Sequence, residues 1–210
     1  MKILVTGVKG QLGFDVVNEL QKRGHTAIGV DIEEMDITNK ESVNTVIHGA
    51  NPDGVIHCAA WTALDAAEEE ENKEKVMAVN ASGTRYIAEL CKDLAIPMMY
   101  ISTDYIFDAQ GKTPWTPDQQ NYAPLNVYGA SKLAGEQAVK ELLSDYFIVR
   151  IAWVFGLNGK NFIKGLSKWS ERKPSTSLKR GVSRMSRLQL RAIRLMLRVP
   201  VLWTRSLAAW

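Results

Sequence analysis

The sequence predicts an α/β protein built on a doubly wound parallel sheet, and two observations support this fold class. Short apolar runs typical of buried strands alternate with segments whose apolar residues recur at helical spacing. The first apolar run also leads directly into a glycine-rich turn of the form Thr-Gly-x-x-Gly-x-x-Gly, at residues 6–13. In sheets that bind dinucleotides, a turn of this kind joins the first strand to the first helix.

The predicted elements follow one another in a regular order. We predict strands at residues 3–5, 27–30, 54–57, 98–101 and 147–151. We predict helices at residues 12–20 (ended by Gly24), at 43–47, over a long Glu- and Ala-rich stretch at about 64–94, and at 127–143. A Pro- and Gln-rich loop occupies about residues 109–126. Strands that alternate with helices favour right-handed β-α-β crossovers.

The glycine-rich turn predicts a dinucleotide site. Gly7, Gly10 and Gly13 let the backbone approach a pyrophosphate, whose charge would face the N–H groups at the start of the next helix. Asp31 ends the second strand, where a carboxylate can bind ribose hydroxyls and would repel a 2′-phosphate, which favours NADH over NADPH. The alternatives are a tight strand-to-helix turn for the glycines and a turn or capping role for Asp31.

A second pattern, Tyr128-x-x-x-Lys132, opens the helix that follows the fourth strand. Residues four apart project from one face of a helix, so the lysine ammonium would lie near the phenol. We expect that charge to lower the tyrosine pKa from about 10 and to make Tyr128 a proton donor and acceptor. Alone, the pattern is also typical of a solvated helix face.

Hydroxyl groups at the end of the fourth strand form a third candidate. Ser102 and Thr103 lie where open α/β sheets place their ligands, and a hydroxyl there can polarise a substrate carbonyl. The alternative is that they cap the strand end. We interpret His57 and Cys58, at the end of the third strand, as hydrogen-bonded structural residues and not as reactive groups.

The three motifs are accompanied by shorter ones. These are Asp36-Ile37-Thr38, Ala59-Ala60-Trp61-Thr62-Ala63-Leu64-Asp65, Val79-Asn80, Arg150-x-Ala152-Trp153-Val154-Phe155-Gly156 and Asn161-Phe162. As a set they resemble the extended short-chain dehydrogenase/reductases, and most closely the dTDP-4-dehydrorhamnose reductase branch. The resemblance covers about residues 1–164. Leu64 and Cys58 depart from the branch, which usually carries valine and asparagine there.

The resemblance implies a nicotinamide-binding Rossmann fold and a reaction. Hydride from NADPH or NADH would reduce the C4 ketone of a dTDP-linked 6-deoxyhexulose, giving dTDP-L-rhamnose. Thr103, Tyr128 and Lys132 would be catalytic, and Asp104, Tyr105 and Trp153 would bind the deoxysugar. The matched cofactor contacts are Gly7, Gly10, Gln11, Leu12, Gly13, Asp36, Ile37, Ala59, Ala60, Thr62, Tyr128 and Lys132. No metal site is predicted.

Residues 165–210 differ in composition from the rest. Residues 1–164 carry 15 Lys and Arg against 22 Asp and Glu, a net charge of −7, whereas residues 165–210 carry 11 against one, a net charge of +10. Five arginines between residues 184 and 198 alternate at spacings of three and four, which could form a basic amphipathic helix. We favour a reading-frame shift in the gene, because the family resemblance ends at Lys164.

On this interpretation residues 1–164 form the NAD(P)-binding domain and residues 165–210 a tail unlike the family. Most of the substrate domain and the last sheet strands would then be missing, and we expect little or no turnover. We predict no nucleic-acid or membrane partner, a cytoplasmic location and a possible homodimer. Two other functions remain open: a non-catalytic dinucleotide-binding subunit like the methionine adenosyltransferase regulator, and a sugar-nucleotide epimerase or dehydratase.

Overall fold

The computed structural model describes residues 1–108, 110, 115–152, 154 and 158, and the backbone of residues 204–208. Within these residues the strands are β1 (Lys2–Thr6), β2 (Thr26–Val30), β3 (Gly54–His57), β4 (Met98–Thr103), β5 (Tyr146–Ile151) and β6 (Thr204–Ala208). They form one sheet in the order β2-β1-β3-β4-β5-β6, and every neighbouring pair is parallel. The predicted doubly wound parallel sheet is confirmed.

Helices connect the strands, as predicted. They are α1 (Gln11–Lys22), α2 (Lys40–Ala50), α3 (Leu64–Ala67), α4 (Glu70–Met77), α5 (Gly83–Asp93) and α6 (Val127–Leu142). Asparagine side chains cap two of them: Asn39 Oδ1 accepts from the N–H groups of Glu41 and Ser42, and Asn126 Oδ1 accepts from Gly129 N at 2.7 Å. None of the helices in this part of the chain is both long and apolar enough to span a bilayer.

The helical stretch predicted at residues 64–94 is not continuous. Glu69 adopts an extended backbone (ψ 130°), which separates α3 from α4. Further along, residues Ala78–Ser82 form a π-helical turn between α4 and α5. The Thr84 hydroxyl donates to Asn80 O at 2.7 Å. A side-chain hydroxyl therefore bonds to a carbonyl that a regular helix would pair with a backbone N–H. Helical spacing alone does not reveal such an interruption.

Two apolar clusters cover the two faces of the sheet. Alternate residues of each buried strand point to opposite faces, so Leu4 packs with α2, α5 and α6 while Ile3 and Val5 pack with α1. Both clusters contain fully buried side chains from β3 and β4. Burial of both faces explains why these strands are nearly continuous apolar runs. Because these strands pair in parallel, the carboxyl ends of β1, β3 and β4 lie at one edge of the sheet.

Strand β6 was not predicted. Residues 204–208 pair in parallel with β5, in a register that sets Tyr146 beside Thr204 and Arg150 beside Ala208. The last strands of the sheet were expected to be missing, and residues 1–164 do contribute only β1 to β5, but this segment of the tail adds a sixth strand. Strand pairing uses backbone N–H and C=O groups, so it does not require the apolar pattern on which the sequence prediction depends. The predicted basic helix at residues 184–198 lies outside the described residues.

Candidate active site

A cavity of about 790 Å³ opens at the carboxyl edge of the sheet. Every site residue that the sequence predicts lines this cavity, apart from Trp153, which lies outside the described residues. The glycine-rich turn and the ends of β2 and β3 form one side of it. The end of β4 and the first turns of α6 form the other. Motifs more than a hundred residues apart in sequence therefore share one site.

The glycine-rich turn is shaped by close backbone contacts. Gly7 has a φ of 69°, a conformation that favours glycine. A Cβ atom on Gly13 would lie 2.2 Å from Gly7 O, and one on Gly7 would lie 2.8 Å from Ala59 N. The N-cap residue of α1, Gly10, has no side chain that could cap the helix. A turn with no room for side chains, followed by an uncapped helix N-terminus, fits the diphosphate of a dinucleotide.

Asp31 holds the glycine-rich turn from the end of β2. Its Oδ2 accepts from Lys9 N at 2.8 Å, and its Oδ1 accepts from Ile32 N at 3.0 Å. Lys9 Nζ forms an exposed ion pair with Glu33 at 2.6 Å. The turn role that the sequence left as an alternative is thus present. The ribose contact stays a prediction, and it is compatible with the half-buried position of Asp31 at the cavity wall.

The adjacent loop presents Asp36 and Ile37. Asp36 Oδ1 accepts from both the N–H and the hydroxyl of Thr38, at 2.9 and 2.7 Å. Asp36 N donates to Ser42 Oγ at 3.1 Å, which fixes this loop to the start of α2. The Asp36 carboxylate is therefore oriented by its own loop before any ligand binds. Its predicted contact with the cofactor stays a prediction.

Burial sets the protonation of the two principal groups on α6. Burial raises the pKa of the Tyr128 phenol to about 12, although a hydrogen bond with the Thr103 side chain acts to lower it. Burial lowers the pKa of the Lys132 ammonium to about 7, against the charge of Glu136. The predicted lowering of the Tyr128 pKa is wrong for this structure, because the loss of hydration on burial dominates and raises it.

A protonated phenol near neutral pH can still donate a proton, and its neighbours favour that role. Thr103 Oγ1 accepts from Tyr105 N and donates to Asp104 Oδ1, both at 3.2 Å. The Tyr105 ring meets the Tyr128 ring edge-on, with centroids 5.8 Å apart. The predicted substrate contacts Asp104 and Tyr105 thus lie next to the predicted catalytic Thr103 and Tyr128.

A buried chain of hydrogen bonds runs beneath the cavity from Thr6, at the end of β1, to Asn80. Thr6 Oγ1 accepts from Cys58 N and Ala59 N, so its own proton goes to His57 Nδ1, 2.7 Å away. The proton of His57 is then on Nε2, which donates to Thr84 Oγ1 at 3.1 Å. The Thr84 hydroxyl in turn donates to Asn80 O. The interpretation of His57 as a satisfied structural residue is confirmed.

Asn80 extends this chain of hydrogen bonds to helix α6. Its side chain accepts from Trp61 N at 2.8 Å and donates to Trp61 O and to Ser131 Oγ, at 3.1 and 2.9 Å. Ser131 Oγ in turn donates to Tyr128 O at 2.7 Å. In the sequence, Asn80 stands out only as part of the Val79-Asn80 motif. The one sequence signal for this hydrogen-bonding role was a polar residue, Asn80, within an otherwise helical pattern.

Burial raises the pKa of the Cys58 thiol to about 12, which makes it a poor nucleophile near neutral pH. This agrees with the interpretation of Cys58 as a structural residue. Among the described residues, no cluster of three or more His, Cys, Asp or Glu side chains could hold a metal ion.

A buried ion pair that the sequence analysis missed lies further along α6. Arg150 Nε and Nη2 donate to the two oxygens of Glu136, both at 2.8 Å, and both side chains are almost fully buried. Burial alone would raise the pKa of Glu136, but the hydrogen bond and charge of Arg150 outweigh it and lower the pKa. Arg150 also donates to Pro117 O and Tyr122 Oη. The pair joins α6, β5 and the loop that leads to Tyr128.

Comparison with known proteins identifies the family. The profile described as "RmlD substrate binding domain" matches residues 1–179. A dTDP-4-keto-6-deoxy-D-glucose reductase of Streptomyces niveus is 40% identical over 162 residues, covering 77% of this chain and 55% of that protein. A dTDP-4-dehydrorhamnose reductase of Streptomyces griseus is 40% identical over 161 residues, covering 76% of this chain and 52% of that protein. The chain thus spans about half the length of these relatives.

Solved structures agree with this result. A dTDP-4-dehydrorhamnose reductase of Clostridium acetobutylicum superposes with a TM-score of 0.82 at 31% identity, covering 100% of this chain and 74% of that one. The Bacillus anthracis enzyme, solved in complex with NADP, gives a TM-score of 0.85 at 32% identity, covering 99% and 74%. The resemblance inferred from the motifs is confirmed: this chain belongs to the RmlD substrate-binding-domain family.

Proposed function

We propose that this chain is an NAD(P)H-dependent reductase that converts dTDP-4-dehydro-L-rhamnose into dTDP-L-rhamnose. The observation that carries the proposal is that Thr103, Tyr128 and Lys132 line the same cavity as the glycine-rich turn. The names of its relatives supply the substrate class. The fit of the turn to a diphosphate supplies the cofactor class.

When bound, the dinucleotide supplies a hydride to the C4 carbon of the sugar. In the proposed reaction Tyr128, protonated near neutral pH, donates its proton to the oxygen that was the C4 carbonyl and later regains one from water. The Thr103 hydroxyl hydrogen-bonds to that same oxygen. Lys132 holds the ribose next to the nicotinamide, and its ammonium stabilises the phenolate that remains after proton transfer.

We infer that NADH is preferred over NADPH. Asp31, Glu33 and Glu34 lie together after β2, and they would repel a 2′-phosphate. The ammonium of Lys9, which could attract that phosphate, is already paired with Glu33. The B. anthracis relative was solved with NADP, so both cofactors belong in the test.

On the sugar side, we propose that Asp104, Tyr105 and Trp153 contact the deoxysugar. Two observations support this for the first two residues: they line the cavity, and they lie beside Thr103 and Tyr128. The relatives are named for two different 4-keto sugars. The test should therefore offer both of these sugars.

We also propose that residues 1–164 form the dinucleotide-binding unit and that residues 165–210 contribute little to the sugar site. The family profile continues past residue 164, to residue 179, so this boundary is itself a target for deletion. The expected consequence is slow turnover by this chain. We further propose that the chain is cytoplasmic and forms a homodimer. Light scattering on the purified chain would test the dimer.

The experiment is a binding titration followed by a turnover assay. Purified full chain is titrated with NADH and with NADPH while fluorescence is recorded, and product formation from each sugar nucleotide is then followed by chromatography. We expect NADH binding and slow conversion of dTDP-4-dehydro-L-rhamnose. Tyr128→Phe should keep binding and lose conversion, whereas the matched control Tyr86→Phe, beside Lys40 and outside the cavity lining, should keep both.

Failure to bind either dinucleotide by a folded sample would refute the proposal. Binding without any reduction of either sugar would instead favour a non-catalytic role for this chain.

A further inference from the structure

The catalytic lysine lies on the face of a buried aromatic ring. Lys132 Nζ is 4.1 Å from the centroid of the Tyr100 ring, and Tyr100 Oη donates to the backbone carbonyl of Lys132 at 3.3 Å. The Tyr100 side chain of β4 thus contacts both the ammonium and the backbone carbonyl of Lys132 on α6. The negative face of an aromatic ring attracts a cation, most strongly where water is excluded. Tyr100 is completely buried and Lys132 is 3% exposed.

The ring has little freedom to move away. A Cβ atom on Gly135 would lie 2.3 Å from Tyr100 Oη, so α6 packs directly on the hydroxyl group. The His57 ring also stacks on Tyr100, with centroids 5.8 Å apart and planes 24° from parallel. The hydrogen-bond chain through Thr6 and Thr84 holds His57 in turn. Tyr100 is therefore a fixed platform beneath Lys132.

Lys132 has weak electrostatic support from other groups. In the described part of the chain it forms no ion pair with a carboxylate. Glu136 faces it from the same helix, but that carboxylate is shared by Arg150 and Lys140. From β3 and the residue after it, His57 is neutral and the Cys58 thiol is protonated near neutral pH. Burial otherwise favours the neutral amine.

We propose that Tyr100 is a positioning residue for Lys132, which holds the lysine ammonium on its ring face so that it points into the cavity from a fixed place. The catalytic meaning of this contact rests on the proposed function, whereas the contact itself does not. The attraction favours the charged form of Lys132, which is the form that can hold ribose hydroxyls and stabilise the phenolate of Tyr128.

The test changes the charge distribution of the ring without changing its shape. Phenylalanine and its mono-, di- and trifluorinated analogues are placed at position 100 of the full chain. Carbon-13 NMR of the lysine ε-carbons follows the titration of Lys132, with its signal assigned by its absence in Lys132→Gln. Tyr100→Phe should keep the titration midpoint near about 7. Trifluorination should lower it by about one pH unit, a tenfold shift toward the neutral amine.

A matched control separates this effect from fluorination in general. Tyr86 lies under the exposed Lys40 ammonium, 5.7 Å from the ring centroid, and the same analogues at position 86 should leave the Lys132 midpoint unchanged. Tyr100→Phe also loses the hydrogen bond to Lys132 O. A purely structural role would therefore appear as a lower melting temperature in Tyr100→Phe, with no further change along the fluorinated series.

A Lys132 midpoint that does not move along the series would overturn the inference. NADH affinity is measured against pH on the same samples, and its midpoint should fall with that of Lys132. Loss of this correspondence would overturn the positioning role even if the Lys132 midpoint shifts. If the unmodified chain binds no dinucleotide, the proposed function fails, while the Lys132 titration still decides whether Tyr100 holds the ammonium.

Discussion

The glycine-rich turn and helix α6 line the same cavity but are held in place by different means. The turn depends on the absence of side chains, since Gly13 and Gly7 meet backbone atoms at distances that no Cβ allows. Helix α6 depends on buried polar side chains, above all the Glu136–Arg150 pair. The glycines of the first arrangement lie within eight residues, although Gly7 also packs against the backbone of Ala59, whereas the second needs a charged side chain from another strand. The two regions should therefore respond differently to substitution and to pH.

Two buried charged residues one turn apart on α6 offer a second comparison. Lys132 and Glu136 are both buried, but the pKa of Lys132 falls toward neutrality while that of Glu136 stays low. The difference lies in their partners, because Arg150 offers Glu136 two charge-assisted hydrogen bonds and Tyr100 offers Lys132 only a ring face. One charge stabilises the helix and the other remains available to a ligand.

The largest effect is expected from breaking the ion pair. Arg150→Met leaves Glu136 buried without its partner, which should lower the free energy of unfolding by about 3–5 kcal/mol. The double variant Arg150→Met, Glu136→Leu should recover much of this loss because no buried charge remains. Urea unfolding at neutral pH measures both variants. Equal loss in the single and double variants would mean that packing, and not charge, is what Arg150 contributes.

The next effect is a pH dependence set by Lys132. Its pKa is about 7 in the folded chain, whereas a lysine in water has a pKa of 10.5. Between these values the unfolded chain binds more protons, so stability rises with pH. The slope should approach about 1.4 kcal/mol per pH unit between about pH 7 and 9. The buried thiols of Cys58 and Cys91 act oppositely from about pH 9, and Tyr128 from about pH 10, because in the unfolded chain these groups ionise first.

Lys132→Met removes this dependence if the assignment is right. As the pH falls from about 9 to about 7, the parent chain should lose stability relative to the variant, because folding must then discharge a lysine that is charged in the unfolded chain. The variant should be the more stable of the two at neutral pH. Urea unfolding across this range measures both chains. Parallel stability curves would show that Lys132 is not the group responsible.

A smaller effect is expected in the glycine-rich turn. Gly13→Ala places a Cβ 2.2 Å from Gly7 O, so the backbone must shift, at a cost of about 1–3 kcal/mol. The same shift should weaken NADH binding, which titration measures. Gly49→Ala is the matched control, since its Cβ would meet no atom within 4 Å. In α2 that control should be neutral or stabilising by up to about 1 kcal/mol.

The smallest effect concerns cofactor choice. Asp31→Asn keeps the oxygen that accepts from Lys9 N but removes the charge that would face a 2′-phosphate. The ratio of NADPH to NADH affinity should rise about three- to tenfold, which corresponds to about 1 kcal/mol. Dissociation constants at fixed ionic strength give this ratio. Asp93→Asn, at the end of α5, should leave the ratio unchanged.

The elements that were predicted correctly share a local origin. Strands β1 to β5 and helices α1, α2 and α6 come from apolar periodicity over a few residues. The glycine spacing and the Tyr128-x-x-x-Lys132 spacing predicted which residues meet at the cavity. The errors fall where a non-local contact decides, as in the π-helical turn at Asn80 and the pairing of β6 with β5.

By itself, the amino-acid sequence determined the doubly wound sheet, the position of the turn that fits a diphosphate, and the residue types gathered at one edge. Only the tertiary structure decided how those residues are charged and held: a protonated Tyr128, a Lys132 resting on Tyr100, and a Glu136 kept ionised by Arg150. The physical reason is that periodicity and turns are properties of neighbouring residues. Hydration loss and charge pairing depend on which distant segments the fold brings together.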